Sequence, residues 1–182
     1  MTDTPVDTGA QAAPTAADER RRDGWALALV AAIVVLDQVT KAAVRASLPL
    51  HAEVPIVPGF LSITHVRNTG AAFGIFNAAD FPYKAAVLAV VATAALLGIA
   101  AYAARLSPHQ RAARLGLALI LGGAIGNLID RVTAGYVVDF VDVYWRDWHF
   151  WAFNVADSAI TVGVVGMALD MLGFGTNVSK AR

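Results

Sequence analysis

Cysteine is absent from this chain, and charged residues are few. Without cysteine the protein has no thiol nucleophile, no disulfide framework and no cysteine-ligated metal. Charged residues make up 15% of the 182 residues, against roughly 25% in ordinary soluble domains. Acidic and basic residues balance at 14 each, so the chain lacks the excess positive charge that nucleic-acid binding requires.

Histidine is scattered as well as scarce. None of the four histidines has the spacing of a metal motif such as HExxH. They are His51, His65, His109 and His149. We therefore expect neither a metal nor another cofactor.

Long apolar stretches dominate what remains. Each approaches the roughly 20 residues that a helix needs to cross a bilayer, and a backbone exposed to lipid must satisfy its own hydrogen bonds. The stretches are Trp25–Ala46, Tyr83–Ala104, Ala112–Ile129 and Ala156–Phe174. The sequence predicts an all-α integral membrane protein with four transmembrane helices.

The flanking segments set domain limits and orientation. Residues 1–23 are predicted to be a disordered cytoplasmic tail, residues 24–174 a single membrane domain and residues 175–182 a cytoplasmic C-terminal tail. Arg105, Arg111 and Arg114 lie in the short connection between the second and third stretches, and basic residues favour the cytoplasmic side. Both termini are therefore expected in the cytoplasm.

Two longer connections then fall on the outer, periplasmic or extracytoplasmic, face. Leu61–Val66 alternates apolar and polar residues, and Tyr136–Tyr144 is rich in β-branched and aromatic residues, so both are predicted as small β elements. The aromatic segment Tyr144–Trp151 is predicted to lie at the membrane interface.

Three aspartates, Asp130, Asp139 and Asp157, stand at the edges of these stretches on that same face. An ionised side chain at mid-bilayer costs roughly 2.5 to 3.5 kcal/mol, so acids in such places are functional candidates. Two carboxylates that share a proton can activate water and polarise a carbonyl, which is peptide hydrolysis of the aspartic type. Spacing alone does not choose two of the three.

Other classes of function remain open on the residues alone. A proton-coupled transporter or channel component also uses intramembrane acids, although it would spread them through the membrane's depth. A membrane scaffold or chaperone would not need the cluster.

Several polar residues have structural interpretations. Asp37 and Lys41 have the i,i+4 spacing of an ion pair, and Arg131 is expected to be a local partner of Asp130 or an interfacial anchor. Asn154 or Asp157 is expected to cap the fourth helix, and Asp142 to be an exposed interfacial acid. The glycine-rich run Gly122–Gly126 predicts close helix packing.

Five short motifs along the chain carry a resemblance to a known family. In order, they are DQVTK at Asp37–Lys41, NTGAAF at Asn68–Phe73, GNLIDR at Gly126–Arg131, VVDF at Val137–Phe140 and FNVADS at Phe153–Ser158. They closely resemble the motifs of the lipoprotein signal peptidases, or signal peptidase II, over about residues 25–174.

The resemblance implies a function and assigns roles. It implies a four-helix aspartic endopeptidase of the bacterial cytoplasmic (inner) membrane, which cleaves prolipoproteins N-terminal to a diacylglyceryl-modified cysteine. Asp139 and Asp157 match the catalytic pair. Substrate-binding or supporting roles fall to nine further residues, which are Asp37, Lys41, Asn68, Gly70, Asn127, Asp130, Arg131, Asn154 and Ala156. The implied partners are prolipoproteins, membrane lipids and globomycin-type inhibitors, with no nucleic acid.

Overall fold

The computed structural model describes residues 16–70, 81, 83–106 and 110–172. Four helices and four strands occur within these residues. In chain order they are α1 (Ala16–Ser47), β1 (Glu53–Val57), β2 (Leu61–Asn68), α2 (Lys84–Ala103), α3 (Arg111–Ala134), β3 (Val137–Trp145), β4 (Trp148–His149) and α4 (Val155–Met171). The four predicted helices are therefore confirmed as helices, and both predicted strands are present.

Three of the helices are long and apolar enough to cross a membrane. These segments are Gly24–Ser47, Lys84–Ala103 and Arg111–Ala134. Helix α4 has 17 residues within the described chain, slightly fewer than a full span requires. A fourth transmembrane helix therefore stays a prediction.

The first helix starts earlier than its apolar stretch. Residues 16–23, which the sequence assigned to a disordered tail, are helical and continue directly into the apolar part of α1. A helix propagates at little cost once its nucleus exists, so a polar extension of a stable helix needs no apolar face of its own. Residues 1–15 and 173–182 lie outside the described residues.

The strands form one small antiparallel sheet in the order β1-β2-β3-β4. It lies where α1 and α3 end and where α2 and α4 begin. Strands β1 and β4 were not predicted. All five residues of β1 are exposed, so it lacks an alternating burial pattern, and Pro55 suits its position at the sheet edge.

The aromatic segment after β3 folds back as a short hairpin. Tyr144 and Trp145 of β3 pair with His149 and Trp148 of β4, respectively. Trp145, Trp148 and Trp151 remain exposed, and the interfacial position of this segment stays a prediction.

Asp142 contradicts its prediction as an exposed acid. Only 8% of Asp142 is exposed, and its Oδ2 lies 2.8 Å from Nδ1 of His149. The β3–β4 hairpin brings this histidine over the strand, and its ring also stacks on Tyr144. The carboxylate is therefore covered by a partner seven residues further along the chain.

Helix α3 is the centre of the bundle, packing against α1, α2 and α4. Its glycines make this possible. A Cβ on Gly122 would lie 2.9 Å from Ile33 of α1, and a Cβ on Gly123 would overlap the carbonyl oxygen of Ala156 at the start of α4. The packing role predicted for Gly122–Gly126 is confirmed at these contacts.

The close approach of α3 to α4 predicts the cost of adding one methyl group. Gly123→Ala should destabilise the protein by about 1 to 3 kcal/mol, because the new Cβ meets backbone rather than a movable side chain. Thermal or denaturant unfolding in detergent micelles measures this. Gly98→Ala on α2 is the control, since among the described residues nothing outside its own stretch of helix lies within 4 Å of its Cβ position. Equal unfolding midpoints in the two variants would contradict the packing role.

Candidate active site

Asp139 lies on β3 with only 2% of its surface exposed. Its two carboxylate oxygens accept hydrogen bonds from two side-chain amides. Asn68 Nδ2 donates to Oδ2 at 3.0 Å, and Asn154 Nδ2 donates to Oδ1 at 2.7 Å. The sheet register places Val66 opposite Asp139, so Asn68, two residues further along β2, lies on the same face at the diagonal position.

Asp157 lies in the first turn of α4 and takes part in the cap of that helix. Asn154 is the N-cap residue, as predicted, and its side chain accepts from the Asp157 backbone N–H at 2.9 Å. In return, Asp157 Oδ2 accepts from the Asn154 backbone N–H at 3.3 Å. This reciprocal capping box fixes the Asp157 side chain relative to the helix.

Two amides join Asp139 to Asp157. Asn127 Nδ2 donates to Asp157 Oδ1 at 2.8 Å, and Asn127 Oδ1 accepts from Asn154 Nδ2 at 3.2 Å. Asn154 Nδ2 also reaches Asp139. Asn127 and Asn154 therefore connect the two carboxylates through neutral groups.

Lys41 determines which way the Asn127 amide points. Its ammonium is fully buried and donates to Asn127 Oδ1 at 2.9 Å. An ammonium has only donors, so the amide oxygen must face Lys41 and the amide nitrogen is left for Asp157. The same ammonium lies 2.8 Å from Asp37 Oδ2 and 3.1 Å from Asp130 Oδ2. The predicted Asp37–Lys41 ion pair is confirmed.

Asp37 connects α1 with the start of α4. Its Oδ1 accepts from the Ala156 backbone N–H at 3.0 Å. Gly126 on α3 allows the close approach, because a Cβ there would lie 2.6 Å from Asp37 Oδ2. Gln38, which the sequence did not single out, donates to the Gly126 carbonyl oxygen at 3.2 Å.

Asp130 has different partners from the one predicted. Arg131 does not pair with it; the guanidinium of Arg131 donates to the carbonyl oxygens of Asn127 at 3.3 Å and Gly70 at 3.1 Å. Neighbouring residues on a helix point in different directions, which explains the error. Asp130 instead contacts Lys41 and Arg45, and it accepts from the Val138 backbone N–H at 3.2 Å.

Arg45 is the main residue that the sequence analysis missed. Its Nη2 atom lies 2.8 Å from Asp130 Oδ1. Arg45 stands four residues after Lys41 on α1, so helical spacing alone places both cations on one face. That spacing is the signal that could have identified it.

The structure brings all the predicted site residues into one connected network. Gly70 joins it through its backbone, since its N–H donates to Asn68 Oδ1 at 2.9 Å and its carbonyl accepts from Arg131. Residues 71–73, which complete the NTGAAF motif, lie outside the described residues.

A cavity of about 590 Å³ opens onto Asp139 and Asp157. Most of its wall is apolar, and its polar end is formed by Asn68, Asn127, Arg131, Asp139 and Asp157. The apolar wall includes Ala92, Ala95, Leu96 and Ile99 of α2, Ala124 of α3, Ile160 and Val162 of α4, and the aromatic residues Phe150, Trp151 and Phe153. An extended apolar ligand can therefore lie against the two carboxylates.

Burial strongly affects the protonation of Asp139, which lies outside the membrane-spanning helices. The pKa of Asp139 is raised to about 7, mainly by loss of water on burial and also by the nearby Asp157 carboxylate. Hydrogen bonds from Asn68 and Asn154 act in the opposite direction because they stabilise the ionised form. Near neutral pH, the Asp139 carboxyl group is therefore present in both its protonated and its ionised form.

Taken together, the fold and the site define a membrane-spanning helical protein with a buried carboxylate pair beside an apolar cavity. The family model of signal peptidase (SPase) II matches residues 29–173. The chain belongs to the signal peptidase II family.

Curated relatives and solved structures agree with this membership. The lipoprotein signal peptidase of Geobacter metallireducens is 48% identical over 144 residues, which cover 79% of this chain and 88% of that protein. The lipoprotein signal peptidase of Pseudomonas fluorescens is 42% identical over 159 residues, covering 87% and 92%. A solved bacterial membrane enzyme superposes with a TM-score of 0.75 at 30% identity, covering 87% of this chain and 94% of that one.

The burial of Lys41 predicts a large effect of removing its charge. Lys41→Met should lower the free energy of unfolding by about 3 to 5 kcal/mol, because Asp37 loses its cation while still buried. Unfolding in detergent measures the loss, with Arg111→Met at the exposed start of α3 as the control. A Lys41→Met protein as stable as the control would contradict the structural importance of this ammonium.

Proposed function

We propose that this chain is an aspartic endopeptidase that removes the signal peptide from diacylglyceryl-modified prolipoproteins, cleaving N-terminal to the lipidated cysteine. Asp139 and Asp157 are the catalytic carboxylates. The observation that carries the proposal is their pairing through Asn127 and Asn154 at the polar end of an apolar cavity. The lipoprotein signal peptidases among the relatives support the choice of substrate.

The environments of the two aspartates indicate which acts as the general acid and which as the general base. Asp139 is the more deeply buried, and its pKa of about 7 keeps a substantial fraction of it protonated near neutral pH, so it is the acid that donates to the scissile carbonyl oxygen. Asp157 is the base that takes a proton from water as the water oxygen attacks the carbonyl carbon. The proton on Asp157 then passes to the leaving nitrogen as the peptide bond breaks, and Asp139 recovers its proton from the collapsing intermediate.

The remaining site residues position the reactants. Asn68, Asn127 and Arg131 line the cavity beside the two aspartates and are placed to bind the extended substrate backbone. The lipid chains of the substrate stay among the helices while the peptide lies at the sheet. Holding both ends in this way lowers the entropy cost of reaching the reactive geometry.

The membrane placement forms part of the same proposal. Helix α4 is the fourth transmembrane helix, residues 24–174 form the peptidase domain, and both termini lie in the cytoplasm. The sheet and the site then stand at the outer face of the bacterial inner membrane. A globomycin-type inhibitor would bind in the cavity in place of the substrate, and the chemistry described uses no metal or other cofactor.

Substitution of either aspartate tests the catalytic pair. Asp139→Asn and Asp157→Asn should each reduce cleavage of a diacylglyceryl-modified precursor peptide by at least about a thousandfold, because the amide cannot exchange the proton. The measurement is turnover by purified protein in detergent. Asp142→Asn is a matched control, since Asp142 is a buried aspartate on the same strand outside the cavity.

Substantial turnover by either dyad variant would refute the assignment. Loss of activity in Asp142→Asn to the same extent would show that the assay reports damage to β3 rather than loss of a catalytic group. A precursor that lacks the diacylglyceryl group tests the substrate class separately, because it should be cleaved poorly by the unsubstituted protein.

The pKa of Asp139 predicts the alkaline side of the pH profile. Asp139 acts as an acid, so kcat/KM should fall as the pH rises through about 7 and the carboxyl loses its proton. Asn68→Leu removes a hydrogen bond that stabilises the ionised form, so the pKa of Asp139 should rise and the alkaline limb should move to higher pH.

The control for this shift is Thr133→Val at the exposed end of α3. Its profile should coincide with that of the unsubstituted protein. An alkaline limb that stays in place in Asn68→Leu, or moves to lower pH, would show that Asp139 is not the group that controls it.

A further inference from the structure

Arg45 stands in the last turn of α1, one helical turn beyond the buried Lys41. About one third of its side chain is exposed, whereas the carboxylate that it contacts, Asp130, is almost fully buried. Arg45 thus adds a partly exposed cation to a carboxylate that already contacts the buried Lys41. The importance of this contact depends on what the Asp130 carboxylate holds in place.

The two oxygens of Asp130 have separate partners. Oδ2 lies 3.1 Å from the Lys41 ammonium and accepts from the Val138 backbone N–H at 3.2 Å. Oδ1 lies 2.8 Å from Arg45 and accepts a much longer bond of 3.4 Å from Gln38. The terminal torsion of an aspartate is soft, so the plane of the carboxylate is fixed only when both oxygens are held. Arg45 supplies the short contact on the second oxygen.

Val138 transmits the orientation of Asp130 to the site. It is fully buried, its N–H donates to Asp130, and its carbonyl oxygen accepts from Asn154 Nδ2 at 3.2 Å. The peptide groups on both sides of Val138 are thus held, and Asp139 is the next residue. A rotation of the Asp130 carboxylate therefore displaces the Val138 backbone, and Asp139, the next residue, moves with it.

We propose that Arg45 is a positioning residue for the peptidase reaction, acting on Asp139 through Asp130 and the Val138 backbone. This inference rests on the proposed function for its kinetic consequences. Its structural part, the restraint of Val138, holds whatever the substrate is.

The kinetic test compares Arg45→Gln with Arg45→Lys. Arg45→Gln should lower kcat about tenfold on a diacylglyceryl-modified precursor peptide while KM changes less than about twofold, because a small misplacement of a catalytic group slows the reaction after binding. Arg45→Lys keeps the positive charge and should recover most of the rate. Arg111→Gln, at the exposed start of α3, is the matched control and should leave kcat unchanged.

A double-mutant cycle tests the route through Asp130. In an Asp130→Asn background, Arg45→Gln should cause little further loss of kcat, since the carboxylate through which it acts is gone. The same tenfold loss in both backgrounds would overturn the proposal, as would a kcat for Arg45→Gln equal to that of Arg111→Gln.

Hydrogen exchange separates this inference from the proposed function. The amide of Val138 should exchange faster in Arg45→Gln than in Arg111→Gln or the unsubstituted protein. This readout needs no substrate, and it also decides the matter if Asp130→Asn is too slow to assay. Unchanged exchange at Val138 would overturn the inference, whereas a lack of cleavage by the unsubstituted protein would overturn only the proposed function.

Discussion

A buried ammonium is the constraint on which the rest of the site depends. Lys41 has no access to solvent, and its three acceptors, Asp37, Asn127 and Asp130, come from α1 and α3. Each carboxylate that neutralises it also binds a backbone N–H of another element. Asp37 holds the start of α4, and Asp130 holds β3. The requirement to neutralise one charge therefore fixes the two elements that carry Asp157 and Asp139.

The four aspartates of this region fall into two pairs with different donors. Asp37 and Asp130 are in direct contact with cations, Lys41 for both and Arg45 for Asp130. The described hydrogen bonds to Asp139 and Asp157 come instead from neutral amides and a backbone N–H. Neutral donors orient a carboxylate without preventing its protonation to the same degree. Such a pair can hold and release a proton during a reaction.

The sequence was informative about elements and weaker about partners. Apolar length predicts the helices because the bilayer leaves few alternatives for the backbone, and the ordered motifs located the residues that meet at the site. Spacing did not reveal the partner of Asp130, because Arg45 reaches it only through the packing of α1 on α3. The burial of Asp142 was missed for a related reason, since it depends on a hairpin that returns His149 to β3. Both errors concern contacts between elements.

The arrangement also determines how a substrate must approach. Both oxygens of Asp139 and of Asp157 already bind donors from β2, α3 or the cap of α4, and those elements enclose them on the protein side. The open side is the cavity, whose wall is mostly apolar and extends along α2. Burying apolar groups against such a wall is favourable because it removes their surface from water. An extended chain that carries apolar groups therefore binds there more favourably than water does. Under the proposed function, this wall is what makes the carboxylate pair selective for a substrate that already resides in the membrane.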